Sequence, residues 1–304
     1  MIINLRRKIA LIAVATISAI LVTTLVIVVI TIPSNQDSRK AIILGSANDF
    51  DDYPDSDGFP AQALQVYWVL KRHGYNDDNI FLMLYHTNDL VVDIFAYDGI
   101  ANDLTGAVID VENDDVNASR FKRELNVSIS GSFSSKIKPK DQLIIFMADH
   151  GKLSTTDGNV SIVFESDNST ISELEFYDLV REIDSQRMMI NADFCYSGNF
   201  LNPNENFGQT WYDLPNCLFI SSSANTLSYY WADNSNLDGW IGSFFFHTFW
   251  DFLDQSLTIG AAFNLSLEFI PFAYTDSVEV IQNPLMKDNL GIKDTWGFSG
   301  TPRL

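Results

Sequence analysis

The chain has 304 residues, 46% of them hydrophobic, and a net charge of −20; that length suits one large domain or two small ones with a substantial core. Three of its 19 basic side chains, Arg6, Arg7 and Lys8, stand apart at the start, leaving 16 against 39 acidic ones, a balance of −23 over residues 33–304. A surface of that sign repels nucleic acid and anionic headgroups and attracts cations or basic peptides.

Residues 1–8 read as a cytoplasmic N-terminus. From Ile9 to Ile32 there is no charge, no Gly and no Pro. That run exceeds the roughly 20 residues a bilayer core needs, and no small-x-small cleavage pattern follows it directly. Residues 9–32 are therefore expected to form an uncleaved transmembrane anchor. Arg6, Arg7 and Lys8 precede it, whereas Arg39 and Lys40 follow alongside Asp37. The positive-inside rule then makes this a single-pass membrane protein with its main domain extracytoplasmic. Sequons at Asn117, Asn126, Asn159, Asn168 and Asn264 agree with that placement.

Residues 33–39 form a polar linker, and 40–304 read as one domain. "KAIILGSA" (40–47) is an apolar run suited to a buried parallel strand. The acidic stretch 49–57 follows; it could hold calcium but lacks the EF-hand order, and the plain alternative is a solvated turn. Apolar residues at helical spacing predict a helix over 59–74, with Pro in its first turn and Gly at its end. Strands are expected at 79–86, 141–151, 159–165, 186–195 and in the "CLFISSSA" run from Cys217. Helices are expected at 117–125, 171–184, 243–255 and 259–270, the second with a capping signal at Ser172 and Glu175. Residues 87–116 read as irregular. Strands alternating with helices predict an α/β fold around a mainly parallel sheet. Ligands then bind at the carboxyl ends of the strands.

Two strands end in reactive groups. "LIIFMADHG" ends in His150-Gly151 and "MMINADFCYSG" in Cys195. If both strands lie parallel in one sheet, the two groups emerge on one edge. An imidazole beside a thiol can accept its proton and later protonate a leaving amine. Backbone N–H groups of Gly151 and Cys195 could form an oxyanion hole, and Gly198 would let the chain turn after the cysteine. The plainer reading is a buried strand cysteine and a packing histidine. That plainer reading is preferred for Cys217, in an apolar run. His73 is placed at a helix C-terminus, where a cation suits the dipole. No CxxC or His/Cys cluster indicates a metal site.

Residues 59–89, "KDQLIIFMADHG" (140–151), "RMMINADFCYSGNF" (187–200) and "DGWIGSFFFHTFWDFL" (238–253), in that order, resemble the legumain family of caspase-like cysteine peptidases. That family includes the catalytic subunit of the glycosylphosphatidylinositol transamidase. The likeness spans about residues 40–270. It implies a caspase-like three-layer α/β sandwich, His150 as general base, Cys195 as nucleophile, and Gly151 beside the oxyanion. It implies Asp193, Asp238 and Ser228 in the pocket for the residue before the cut. Ala47, or Asn48 by a shift of one, matches a histidine-orienting position. The expected partners are protein or peptide substrates, with no cofactor. Where the family has Arg-His before the first helix, this chain has Gly58-Phe59. Its acids then lack a resident cation, which leans the expectation towards cleavage after Arg or Lys rather than Asn. A transamidase using the same residues, and a tethered binding protein without catalysis, are the alternatives.

Overall fold

The computed structural model describes residues 39–46, 58–85, 104–156, 158–201, 214–232, 240–270, 273–275, 278–280 and 282–298. The expected anchor at 9–32, the acidic stretch 49–57, Ala47, Asn48, His86 and Asp238 lie outside them. Among the described residues no helix is long and apolar enough to cross a membrane.

In chain order the elements are β1 (Arg39–Gly45), α1 (Gly58–Arg72), β2 (Ile80–Leu84), β3 (Val111–Glu112), α2 (Ala118–Leu125), β4 (Gln142–Ala148), β5 (His150–Leu153), β6 (Val160–Phe164), β7 (Ser169–Ser172), α3 (Glu173–Val180) and β8 (Arg187–Asp193). They continue as β9 (Cys217–Ser221), β10 (Tyr230–Ala232), β11 (Trp240–Ser243), α4 (Phe246–Asp254), α5 (Ile259–Leu267), β12 (Ala273–Thr275), β13 (Val278–Val280) and β14 (Leu285–Asp288). The central sheet runs β14-β9-β8-β4-β1-β2-β3. All its pairs are parallel except β14 with β9.

The central strands are apolar throughout because both faces are covered. Ala41, Ile43, Ile144, Phe146 and Ala148 join the cluster that holds α1, α4 and α5. Ile42, Leu44, Leu143, Ile145 and Met147 join the cluster that holds α2 and α3. Alternation along a strand sends successive side chains to opposite faces, so two cores form around one sheet. Gly45 lets α1 lie close: a Cβ there would stand 2.7 Å from the Ala63 Cβ and 2.9 Å from the Phe59 carbonyl oxygen.

The chain leaves β1 for β2 and β3 on one side, then returns to β4 on the other and proceeds to β8 and β9. The topological switch point thus lies between β1 and β4, beside the ends of β4 and β8.

Several expectations are corrected. Residues 87–116 are not irregular throughout, since Val111–Glu112 pairs with β2 as an edge strand. The segment 171–184 is helical only over Glu173–Val180. Before that helix, Ser169–Ser172 is a strand completing an antiparallel β5-β6-β7 sheet. The Ser172–Glu175 capping box is present as expected. His73 directly follows the last residue of α1, at the helix end where it was expected. It is buried, with Nε2 3.1 Å from both Asp254 Oδ1 and the Asp254 carbonyl oxygen.

Arg72 joins the same carboxylate at 2.7–2.8 Å, so one buried acid ties the end of α1 to the end of α4. Removing one partner of a buried ion cluster strands the others. Asp254→Ala is expected to lower unfolding stability by about 3–5 kcal/mol in a urea titration, and Asp254→Asn by less.

Candidate active site

The site begins with register. Along β4 and β8 the pairing ends at Ala148 opposite Asp193. His150 and Cys195 each lie two residues further on. The parallel ladder therefore delivers both to the same edge at the same level. Gly45 pairs with Ala148 on the other side, so the ends of β1, β4 and β8 are flush.

Past that edge the backbones touch. A Cβ on Gly151 would lie 1.8 Å from the Cys195 carbonyl oxygen and 3.0 Å from the Cys195 nitrogen. Only glycine permits that approach. The two residues expected to serve the oxyanion are thus in backbone contact. The expected reason for Gly198 is corrected. Its role is close packing, because a Cβ there would stand 2.6 Å from the Ala224 Cα and 2.7 Å from the Ser223 carbonyl oxygen. The turn after the cysteine is made instead by Tyr196, at φ +62°, a costly left-handed conformation for a residue with a side chain. Its N–H donates to the Thr226 carbonyl at 2.7 Å, which helps to hold it there.

The segment after β9 wraps the thiol. The Ser228 N–H lies 3.4 Å from Cys195 Sγ, and the thiol is 3.9 Å from the Ser228 carbonyl oxygen. Burial pushes the Cys195 thiol up, and the Asp193 charge adds to that; the Ser228 N–H opposes both. Burial lowers His150, while Glu165 opposes the drop. At neutral pH both shifts favour a resting thiol and a neutral imidazole. Cys217 is buried at the start of β9, and burial alone raises its thiol, as expected of a packing cysteine.

The His150 backbone is held from the switch point. Asp149 Oδ1 accepts the His150 N–H at 2.7 Å and the Ser46 hydroxyl at 2.6 Å. Burial holds the Asp149 carboxyl well above the usual range, and its Oδ2 makes no hydrogen bond.

Asp193 is 0% exposed. Its carboxylate accepts from the Tyr230 hydroxyl at 2.8 Å and the Ser228 hydroxyl at 3.2 Å. The Ser222 and Ser243 hydroxyls also favour its charged form. Hydroxyls therefore solvate the carboxylate, and no cation among the described residues pairs with it. Burial still raises it to about 6, with Tyr230 the largest opposing influence. Phe59, where the resemblance would place Arg-His, lies edge-on to His150 at 4.8 Å and to Tyr230 at 5.3 Å. It is an apolar wall.

Glu165, Tyr230, Asp149 and Ser46 were not anticipated. For Glu165 and Tyr230 the signal is the register of β5 with β6 and the fold of the segment after β9, neither of which a one-dimensional pattern carries; Asp149 and Ser46 directly follow β4 and β1. Among the described residues no group of three or more His, Cys, Asp and Glu could hold a metal ion.

The sequence model of the peptidase C13 family matches residues 41–268. No relative is matched among curated proteins. Among solved structures, the crystal structure of caspase-1 from Spodoptera frugiperda is similar with a TM-score of 0.50 at 11% identity, over 84% of this chain and 89% of that one. That likeness is one of fold: an α/β sandwich around a mostly parallel sheet.

Gly151 can be tested directly. Gly151→Ala is expected to cost about 1–3 kcal/mol of stability through overpacking. It should also slow iodoacetamide labelling of Cys195 several-fold, read by mass spectrometry against Cys217 as the internal control.

Proposed function

Because the chain belongs to the peptidase C13 family, we propose that it is a cysteine endopeptidase with Cys195 as nucleophile and His150 as general base. One observation carries the assignment of residues. Both leave adjacent parallel strands two positions past the Ala148–Asp193 pair, with Gly151 against the Cys195 backbone. As Sγ attacks the scissile carbonyl, its proton passes to the imidazole. The carbonyl oxygen gathers charge beside the Gly151 and Cys195 N–H groups. Protonated His150 then releases the amine, and water hydrolyses the thioester.

Asp193 and Ser228 are proposed to receive the side chain before the cut, with Asp238 a second acid and Asn48 an orienting group for the histidine. Support for a basic preference is the lack of a paired cation on Asp193 among the described residues. The Asp193 charge also opposes ionisation of Cys195. A substrate cation that cancels it would assist the nucleophile as well as binding. Residues 9–32 are proposed to tether the domain, residues 40–304, to a membrane on its extracytoplasmic side. The support is the uncharged 24-residue run and the basic residues before it.

Fluorogenic peptides test the reading. Cys195→Ala and His150→Ala are each expected to lose about 100-fold or more in kcat/KM. Unchanged turnover in both would overturn the assignment of the dyad, and no turnover by the wild-type chain would return it to the tethered-binder alternative.

Specificity has its own signature. Asp193 titrates at about 6, so its negative charge is present above that pH and lost below it. The preference for Arg over Asn is expected to rise as pH climbs through about 6, in kcat as well as KM. Asp193→Asn should abolish the pH dependence of that ratio. A panel in which Asn is favoured at every pH would overturn the basic preference.

A further inference from the structure

His150 opens β5, opposite Val163 of β6. In an antiparallel ladder the residue two positions along the partner is the diagonal neighbour on the same face. Here that residue is Glu165, one step beyond the end of β6. Its Oε2 lies 3.4 Å from His150 Nε2. That is an ion-pair distance, longer than a hydrogen bond; resting contacts of this kind tighten when charge develops on the base. Both side chains are mostly covered, at 22% and 27% exposure, so the pair is screened less than a surface pair.

Resting on the Cys195–His150 reading, we propose that Glu165 is a positioning residue for the histidine: its carboxylate holds the Nε2 side of the ring and leaves Nδ1 to take the thiol proton. A neutral imidazole has one N–H and one lone pair. A carboxylate at Nε2 selects the tautomer with the proton there. When Nδ1 accepts the proton from Sγ, the imidazolium keeps its Nε2–H on Glu165. No other proton moves.

Among the described residues, the surrounding charges leave this role to Glu165. Asp149 precedes the ring on its own strand, but its Oδ1 is engaged by the Ser46 hydroxyl and the His150 N–H, and burial favours its neutral acid. From α1 the neighbour is Phe59, which carries no charge. Cys195 past β8 is the acid partner. Asp193, at the end of the same strand, is turned to the Ser228 and Tyr230 hydroxyls. Among the described residues, Glu165 is the charge that opposes the loss of basicity burial imposes on His150.

The test uses Glu165→Gln, which keeps the shape and removes the charge, with Glu165→Asp as the conservative control. The imidazole of His150 is titrated by NMR in a Cys195→Ala background and assigned by comparison with His150→Ala. In parallel, kcat/KM is measured against pH on the enzyme with Cys195 intact. Glu165→Gln is expected to move the His150 titration, and the limb of the profile it governs, to lower pH. It should lower kcat about three- to tenfold with KM little changed. Glu165→Asp should restore part of both. A titration midpoint unmoved in Glu165→Gln overturns the proposal, as does a loss confined to KM. The titration needs no substrate, so it judges Glu165 even if the wild-type chain cleaves no peptide; that second result would overturn the peptidase reading alone.

Discussion

The parallel pairing of β4 with β8, ending at Ala148 opposite Asp193, is the constraint on which the rest depends. Side chains alternate along a strand, so a slip of one residue would turn every core position of β8 to the wrong helix layer. Met189 belongs with α1 and α4, whereas Met188 and Ile190 belong with α2 and α3. The apolar alternation that builds two cores thereby also sets His150 level with Cys195. Core packing and site geometry are one requirement, met by the same seven-residue register.

That register brings two backbones closer than side chains allow. Gly151 solves this by having none, and Gly198 does the same against the segment after β9. Tyr196, between them in the chain, takes the strain as a left-handed residue. The local backbone cost is thus concentrated within the four residues that follow Phe194. It is supported by the hydrogen bonds to Ser223, Thr226 and Ser228. An exposed turn could relax; this one is held by the walls of the site it forms.

The central strands and the main helices were legible because their patterns are strong. Runs such as "QLIIFMA" are buried on both faces, and the Ser172–Glu175 box marks one helix start. The antiparallel sheet was only partly so. "HGKL" and "STIS" have few apolar residues and gain their pairing from β6 between them. Missing β5 meant missing Glu165, since only the β5–β6 register makes it a neighbour of His150. His150 and Cys195 were visible because they sit at the ends of strong strands. Tyr230 was not, because its hydroxyl reaches Asp193 by a fold of the chain across 37 residues.

Two demands in the site oppose each other. A carboxyl two residues before a thiol disfavours the thiolate, and burial of both strengthens that effect. Four hydroxyls around Asp193 oppose its desolvation without bringing a positive charge that would also favour the thiolate. The imidazole, lowered by burial, is a weaker base than it would be in water. A neutral resting pair follows from these fields together. In the proposed reaction, charge would then be created only when a carbonyl is present to receive the sulfur, with the Gly151 and Cys195 backbones already in contact where it would develop.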